Sequence, residues 1–262
     1  MRRAALALWM ALAAAGAQAG CSRELSVGIS ELGFGAYLQD GQWLGMAPDL
    51  IAELARRSGC KLKLAPRPRA RVLLEFEQGQ LDIITSAMQA PDRDRVGHFL
   101  PYAYAELDLV FIGDAPPRTL EELHQRPELK LGIVRGVRVG HMKDAVDAML
   151  ASRQAEYSPD FDNLAAKLAA GRLQAAIIPN VIHAKMRRDG QLPAKAVTID
   201  LPEGPPEIIG LYLNRTSIPA EDVQQLQRSL DGMRREAWVQ QMYVRYVGEA
   251  EVRRLFRSEA AR

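Results

Sequence analysis

The chain has 262 residues, 48% hydrophobic and 25% charged, with 34 Lys and Arg against 32 Asp and Glu. It is long enough to bury one large or two small cores. Arg2 and Arg3 account for the net charge of +2, so the basic surplus that nucleic acid or an anionic membrane rewards is excluded, and neither is an expected partner.

Met1 to Ala19 has the layout of a secretory signal: Arg2-Arg3, an apolar run from Ala4 to Ala15, and Ala17-Gln18-Ala19 as a small-residue cleavage site. The apolar run is too short to span a bilayer as a stable helix. Cys21 follows closely, as the acceptor in a lipoprotein would, but Gln18 stands where such signals carry Leu or a similar residue. Residues 1–19 are therefore read as a removable signal, and the mature chain as periplasmic or secreted. In that oxidising space Cys21 and Cys60 are expected to form one disulfide; two free buried thiols are the alternative.

Leu25 to Ile29 reads as a strand and Phe34 to Gly41 as a loop with a turn at Asp40-Gly41. Asp49 to Arg57 reads as a helix with Leu50, Ile51 and Leu54 on one face and a stop at Gly59. Lys61 to Leu64 is a second strand, ended by Pro66 and Pro68. Arg71 to Gln78 is a helix with Val72, Leu73 and Phe76 inward, and Leu81 to Ile84 a third strand. This β-α-β-α-β series favours a parallel sheet with helices on both faces.

The third strand opens into a small-residue loop, Thr85-Ser86-Ala87-Met88, followed by Pro91-Asp92-Arg93 at a helix start. Open α/β sheets hold small anions at such strand ends, and Arg93 can offer its planar fork to a carboxylate or phosphate. A surface pair with Asp92 or Asp94 is the structural alternative for Arg93.

Leu107 to Gly113 is another strong strand, and Asp114-Ala115-Pro116-Pro117 marks a break. A second β-α-β unit follows: a strand at Lys130–Val134, helices at Val139–Ala151 and Asp162–Ala170, a strand at Gln174–Ile178 and a helix at Ile182–Asp189. Ile208 to Asn214 is a late strand. From Pro219 the chain is helical, with Val223, Leu226, Leu230 and Met233 on one face and Trp238, Met242 and Tyr246 continuing it.

The groups at strand C-terminal ends are Ser30 and Glu31, Ser86 and Met88, Arg135 to Arg138, and Pro179 with Asn180. Phe34 and Tyr37 are placed to supply an aromatic wall or simple packing. The four histidines, His98, His124, His141 and His183, have no metal-ligand spacing, and no cofactor or metal is expected.

Several stretches resemble the type 2 periplasmic solute-binding proteins of family 3, the amino-acid-binding class. They are Gly45-Met46-Ala47-Pro48-Asp49-Leu50, the Gly79-to-Asp82 strand start with Pro91-Asp92-Arg93, Phe99-Leu100-Pro101-Tyr102, and Leu131-Gly132-Ile133-Val134-Arg135-Gly136. The resemblance implies a bilobal α/β fold with lobe 1 at 22–111 plus 213–262 and lobe 2 at 112–212. Two hinge strands, 107–113 and 208–214, would join them. It also implies a monomer that binds a small-molecule ligand between the lobes, serves an ABC permease and performs no catalysis.

In that family the loop and its Arg hold the ligand's carboxylate. Arg93 matches, while Ala90 replaces the usual hydroxyl residue. Arg69 falls where an aromatic usually stands; capping a helix or pointing to water is its structural alternative. Gly136-Val137-Arg138 replaces a hydroxyl-bearing turn, and Pro179-Asn180 lacks the Asp that holds the ligand's ammonium. A buried ammonium without a counter-charge is costly, so the resemblance with these departures implies an anionic, carboxylate-bearing ligand. The expected ligand-binding set is Phe34, Tyr37, Arg69, Ser86, Met88, Arg93, Arg135, Arg138 and Asn180. Two other readings remain: an accessory or sensor protein with the same cleft, and a dehydratase using Glu31 as general base.

Overall fold

The structure, a computed structural model, describes residues 20–201 and 207–256. The expected signal at 1–19 lies outside the described residues. The first half runs β1 (Leu25–Ile29), β2 (Tyr37–Gln39), β3 (Gln42–Leu44), α1 (Met46–Ser58), β4 (Leu62–Pro66), α2 (Arg69–Glu77), β5 (Ile83–Met88), α3 (Pro91–Asp94), β6 (Gly97–Ala105) and β7 (Leu107–Phe111). It continues as α4 (Leu120–His124), β8 (Leu131–Val134), α5 (Lys143–Ala151), β9 (Ala155–Ser158), α6 (Phe161–Ala169), β10 (Ala175–Pro179), α7 (Asn180–Arg188), β11 (Val197–Ile199), β12 (Glu207–Asn214), α8 (Ala220–Arg235), α9 (Trp238–Val247) and α10 (Glu249–Leu255).

Two five-stranded sheets organise these elements, in the orders β4-β1-β5-β12-β6 and β11-β7-β10-β8-β9. In the first, β4, β1 and β5 are parallel, and β12 runs antiparallel between β5 and β6. In the second, β9, β8 and β10 are parallel, with β7 antiparallel to β10 and β11 antiparallel to β7. The fold is thus a bilobal α/β arrangement, as expected. Strand pairing draws the division differently from the expected one. Residues 107–111 bond only within the second sheet, and 207–214 only within the first. The single residue Glu106 joins β6 to β7, and the chain returns after β11.

Alternation along the strands decides which helices they hold. Leu25, Val27 and Ile29 of β1 pack with Leu50 and Leu54 of α1 and with Leu226, Leu230 and Met242 of the C-terminal helices. Ile84 and Tyr212, on the opposite face, meet Val72 and Phe76 of α2. In the second lobe Ala176, Ile178 and Val110 face Leu164 and Leu168 of α6 and Ile182 and Met186 of α7. Period-2 side chains with a core on each face give this result.

Local differences from the sequence reading have local causes. Helix α1 begins three residues early because Gly45, at φ 122°, turns the chain and Pro48 falls in the first turn, where no N–H is needed. The segment read as loop at 34–41 contains strand β2, which pairs with β3 through the expected Asp40-Gly41 turn. The Cys21–Cys60 disulfide is formed and ties the segment before β1 to the end of α1.

Candidate functional site

The C-terminal end of β5 brings the first guanidinium groups together. Ser86 adopts φ 51°, the left-handed region that a serine seldom occupies. Met88 then leads through Ala90 into α3. Tyr212 of β12 stakes this short helix: its hydroxyl accepts the Ala90 N–H at 2.8 Å and donates to Asp94 Oδ1 at 2.7 Å. Arg93 is buried at 5% exposure, its Nη1 donating to the Met88 carbonyl at 2.9 Å and its plane 5.8 Å from the Tyr212 ring centre.

Arg69 opens α2 directly after Pro68, two residues before the expected start. Its guanidinium donates to the carbonyls of Thr85 and Ser86 at 3.2 and 3.3 Å, which holds it beside the β5 end. From the second lobe Arg138 reaches over, donating to Asp92 Oδ1 at 2.6 Å. Arg69, Ser86, Met88 and Arg93 therefore line one inter-lobe cavity with Gly136, Val137 and Arg138. Leu32, Met46, Pro179, Val181, Ile182, Ile209 and Tyr243 supply most of its apolar wall.

The electrostatics are one-sided. Among the described residues no carboxylate lines the cavity, and none of their ion pairs includes Arg69 or Arg93. Burial, and then the nearby Arg93, push the Arg69 pKa down to about 10. Burial, and then Arg138, lower that of Arg93. Both stay charged at neutral pH; Arg69 feels no carboxylate, and Arg93 only the field of Asp92 and Glu77 without an ion pair. Guanidinium forks in a partly desolvated pocket bind carboxylates and phosphates by short, charge-assisted hydrogen bonds.

The remaining expected residues lie elsewhere. Arg135 is exposed, its guanidinium 5.6 Å from the exposed ring of Tyr157 on the neighbouring strand β9. Asn180 is buried at the start of α7, donating to Glu251 at 2.6 Å and accepting the Glu106 N–H, so its amide serves the hinge. Phe34 packs into the first core against Tyr246, with Arg188 over its ring. Tyr37 and Glu31 line a second inter-lobe groove with Asp160, Asp162 and Lys185 of the other lobe; it adjoins the cavity at Ile182, and Lys185 sits over the Tyr37 ring. The cavity residues that the sequence reading missed are led by Met46 and Tyr243. The α9 stripe was assigned to Trp238, Met242 and Tyr246, whereas its buried residues are Val239, Met242 and Tyr243. Ala237, at φ 56°, breaks the helix and resets the face that turns inward.

Comparison with known proteins agrees with this architecture. No curated protein matches the sequence. Among solved structures, an ancestral arginine-binding protein bound to glutamine is similar at a TM-score of 0.72 and 20% identity, over 86% of this chain and 98% of that one. A histidine kinase sensor domain with similarity to periplasmic binding proteins gives 0.71 and 16%, over 86% and 96%. A putative L-cystine ABC transporter protein from Listeria monocytogenes gives 0.69 and 16%, over 87% and 97%. The profile of the bacterial extracellular solute-binding proteins, family 3, matches residues 25–249, and with the two sheets flanking one cavity this makes the chain a member of that family.

Proposed function

We propose that this protein captures a small organic anion, bearing a carboxylate, in the cavity between its lobes and releases it unchanged to an ABC permease. The observation that carries the reading is the meeting of Arg69, Arg93 and Arg138 on one cavity that no carboxylate among the described residues lines. A zwitterionic amino acid would bring an ammonium beside three guanidinium groups of which only Arg138 has a carboxylate partner, Asp92, and a desolvated cation short of counter-charge costs several kcal/mol. A carboxylate instead replaces the missing counter-charge, each charge-assisted bond contributing about 1.5–3 kcal/mol.

The apolar wall favours a short hydrocarbon or aromatic body. The cavity is about 80 Å³, space for a handful of water molecules, so a larger ligand has to part the lobes to enter. Binding both lobes at once would then favour the closed arrangement. Glu31 is not among the residues that line the arginine cavity but lies on the adjoining groove, which supports binding without turnover.

The test is a thermal-shift and calorimetric screen of the full mature chain against monocarboxylates, dicarboxylates, aromatic acids and amino acids. Stabilisation by acids and little response to amino acids is the expected result; preference for zwitterions would overturn the reading. A sensory role is the second reading, supported by the similarity to a kinase sensor domain. Co-purification with a permease or with a sensor kinase separates the two.

A further inference from the structure

Among the described residues, Arg138 is the one guanidinium lining the cavity that takes part in an ion pair. It comes from the second lobe, and its Nη2 donates at 2.6 Å to Oδ1 of Asp92, on α3 of the first lobe. Asp92 itself is half-exposed and is not among the lining residues. Burial alone would raise its carboxyl pKa, but Arg138 and then Arg93 outweigh burial and hold it below the ordinary value. Asp92 is therefore ionised at neutral pH.

Arg69 and Arg93 are in a different condition. Arg93 spends one donor on the Met88 carbonyl, and Arg69 spends two on those of Thr85 and Ser86. A guanidinium has more donors than that, set out as a planar fork. Neither is in an ion pair among the described residues. Both stand at the C-terminal end of β5, so the cationic charge without a carboxylate is gathered on the first-lobe side of the cavity. Met46, Val181, Ile182 and Ile209 make much of the rest apolar.

Resting on the reading of this cavity as an anion site, we propose that Asp92 limits how many carboxylates it accepts. By occupying Arg138 it leaves one binding place, at Arg69 and Arg93, and selects monocarboxylates with an apolar body over dicarboxylates. The reason is an exchange that gains nothing. A second carboxylate on the ligand would reach Arg138 only by replacing Asp92, one charged contact for another, and would leave Asp92 without its cation. It would also give up its own hydration beside an apolar wall. The field of Asp92 works in the same direction, since it repels a dianion more than a monoanion. A ligand with one carboxylate puts its charge on the two arginines that lack an ion pair and its body on the apolar residues. Asp92 acts through Arg138 and is a positioning residue.

The experiment is titration calorimetry at neutral pH on the full mature chain, comparing butyrate with succinate, hexanoate with adipate, and benzoate with terephthalate. In at least one pair, wild type should bind the monocarboxylate more tightly than its dicarboxylate by roughly tenfold or more. D92N should shift that ratio towards the dicarboxylate by about tenfold, because Arg138 is freed. D92E should keep the wild-type ratio, and D92N/R138Q should restore the preference for one carboxylate. A general loosening of the fold or of the lobes lowers both affinities and leaves their ratio alone, so the ratio reads the pairing of Arg138. Binding of acids with a ratio that D92N does not change would overturn this proposal and leave the anion reading standing, as would a wild-type preference for dicarboxylates. No binding by any of these acids would overturn both. If D92N does not fold, D92S, which removes the same charge with a smaller side chain, is read in the same way.

Discussion

Arg69 shows what a guanidinium held without a carboxylate partner costs the fold. It donates to two carbonyls, its nearest strong field comes from another guanidinium, and its pKa falls to about 10. A base whose folded pKa is lowered destabilises the fold at every pH below that value, and the penalty fades only above about 10, as the pH approaches the ordinary arginine value. At neutral pH it is therefore present in full. Arg69→Leu should raise the melting temperature of the protein without added ligand, by an equivalent of about 1 kcal/mol, and abolish the stabilisation expected from the proposed organic anion. Differential scanning calorimetry with and without the acid ligand measures both. Asp82 is the opposite case. Burial pushes its carboxyl up, but hydrogen bonds from Arg23, Ser217 and Ser26 outweigh it and hold the pKa at about 2. The resulting stability is complete above the usual 3.8 and is lost as the pH falls towards 2. Asp82→Asn should remove about 2 kcal/mol at neutral pH and flatten the acid limb of a urea-stability profile between those values.

At the scale of elements, the legible parts were those whose side chains carry a period. β1, β7, β10 and β12 are largely apolar runs, and a buried strand needs little else; of β5 only Ile83 and Ile84 have that pattern, and Thr85 to Met88, read as a loop, continue the strand. β6 was not legible, because Pro101 interrupts it. It is tolerated on the sheet edge, where the register with β12 shifts between Ile209 and Gly210. β9 and β11 are short, exposed in part and held by their neighbours, so no local pattern announces them. The disulfide also acts at this scale. It spans 39 residues, closing β1, α1 and the β2–β3 hairpin into one loop. Replacing both Cys21 and Cys60 by Ser should lower unfolding stability by about 4 kcal/mol in the chain-entropy model, read as a shifted urea midpoint with nearly native far-UV dichroism. A shift below about 1 kcal/mol would show that the reduced chain keeps these elements together.

For the whole molecule, closure depends on how tightly the lobes meet. Gly33 has φ 58°, and a Cβ there would lie 2.4 Å from the Ile182 Cα and 2.8 Å from the Val181 carbonyl oxygen, both backbone atoms of the other lobe. The backbone cannot yield as a side-chain tip would, so the lobes must separate. Gly33→Ala should leave both cores folded and shift the population towards open forms. Affinity for the anion should drop at least tenfold, with a melting temperature altered by only the roughly 1 kcal/mol of the left-handed conformation. Binding calorimetry and scattering together check this, and an unchanged affinity would show that closure does not pass through this contact.

The amino-acid order by itself determined the α/β class, the resemblance to the family, the paired cysteines and the placing of Arg93 after a buried strand. These follow from local chemistry: apolar period, turn residues and a charged group at a strand end. Only the tertiary structure decided which arginines share the cavity. Arg135 and Arg138 are three residues apart on one turn, yet one stacks outward on Tyr157 while the other reaches Asp92 of the opposite lobe. It also decided that Tyr243 faces the cavity and that Asn180 serves the hinge. The physical reason is that a cleft is made by surfaces from distant parts of the chain. The side of a turn or helix that faces the cleft depends on how two sheets pack, and no local pattern records that.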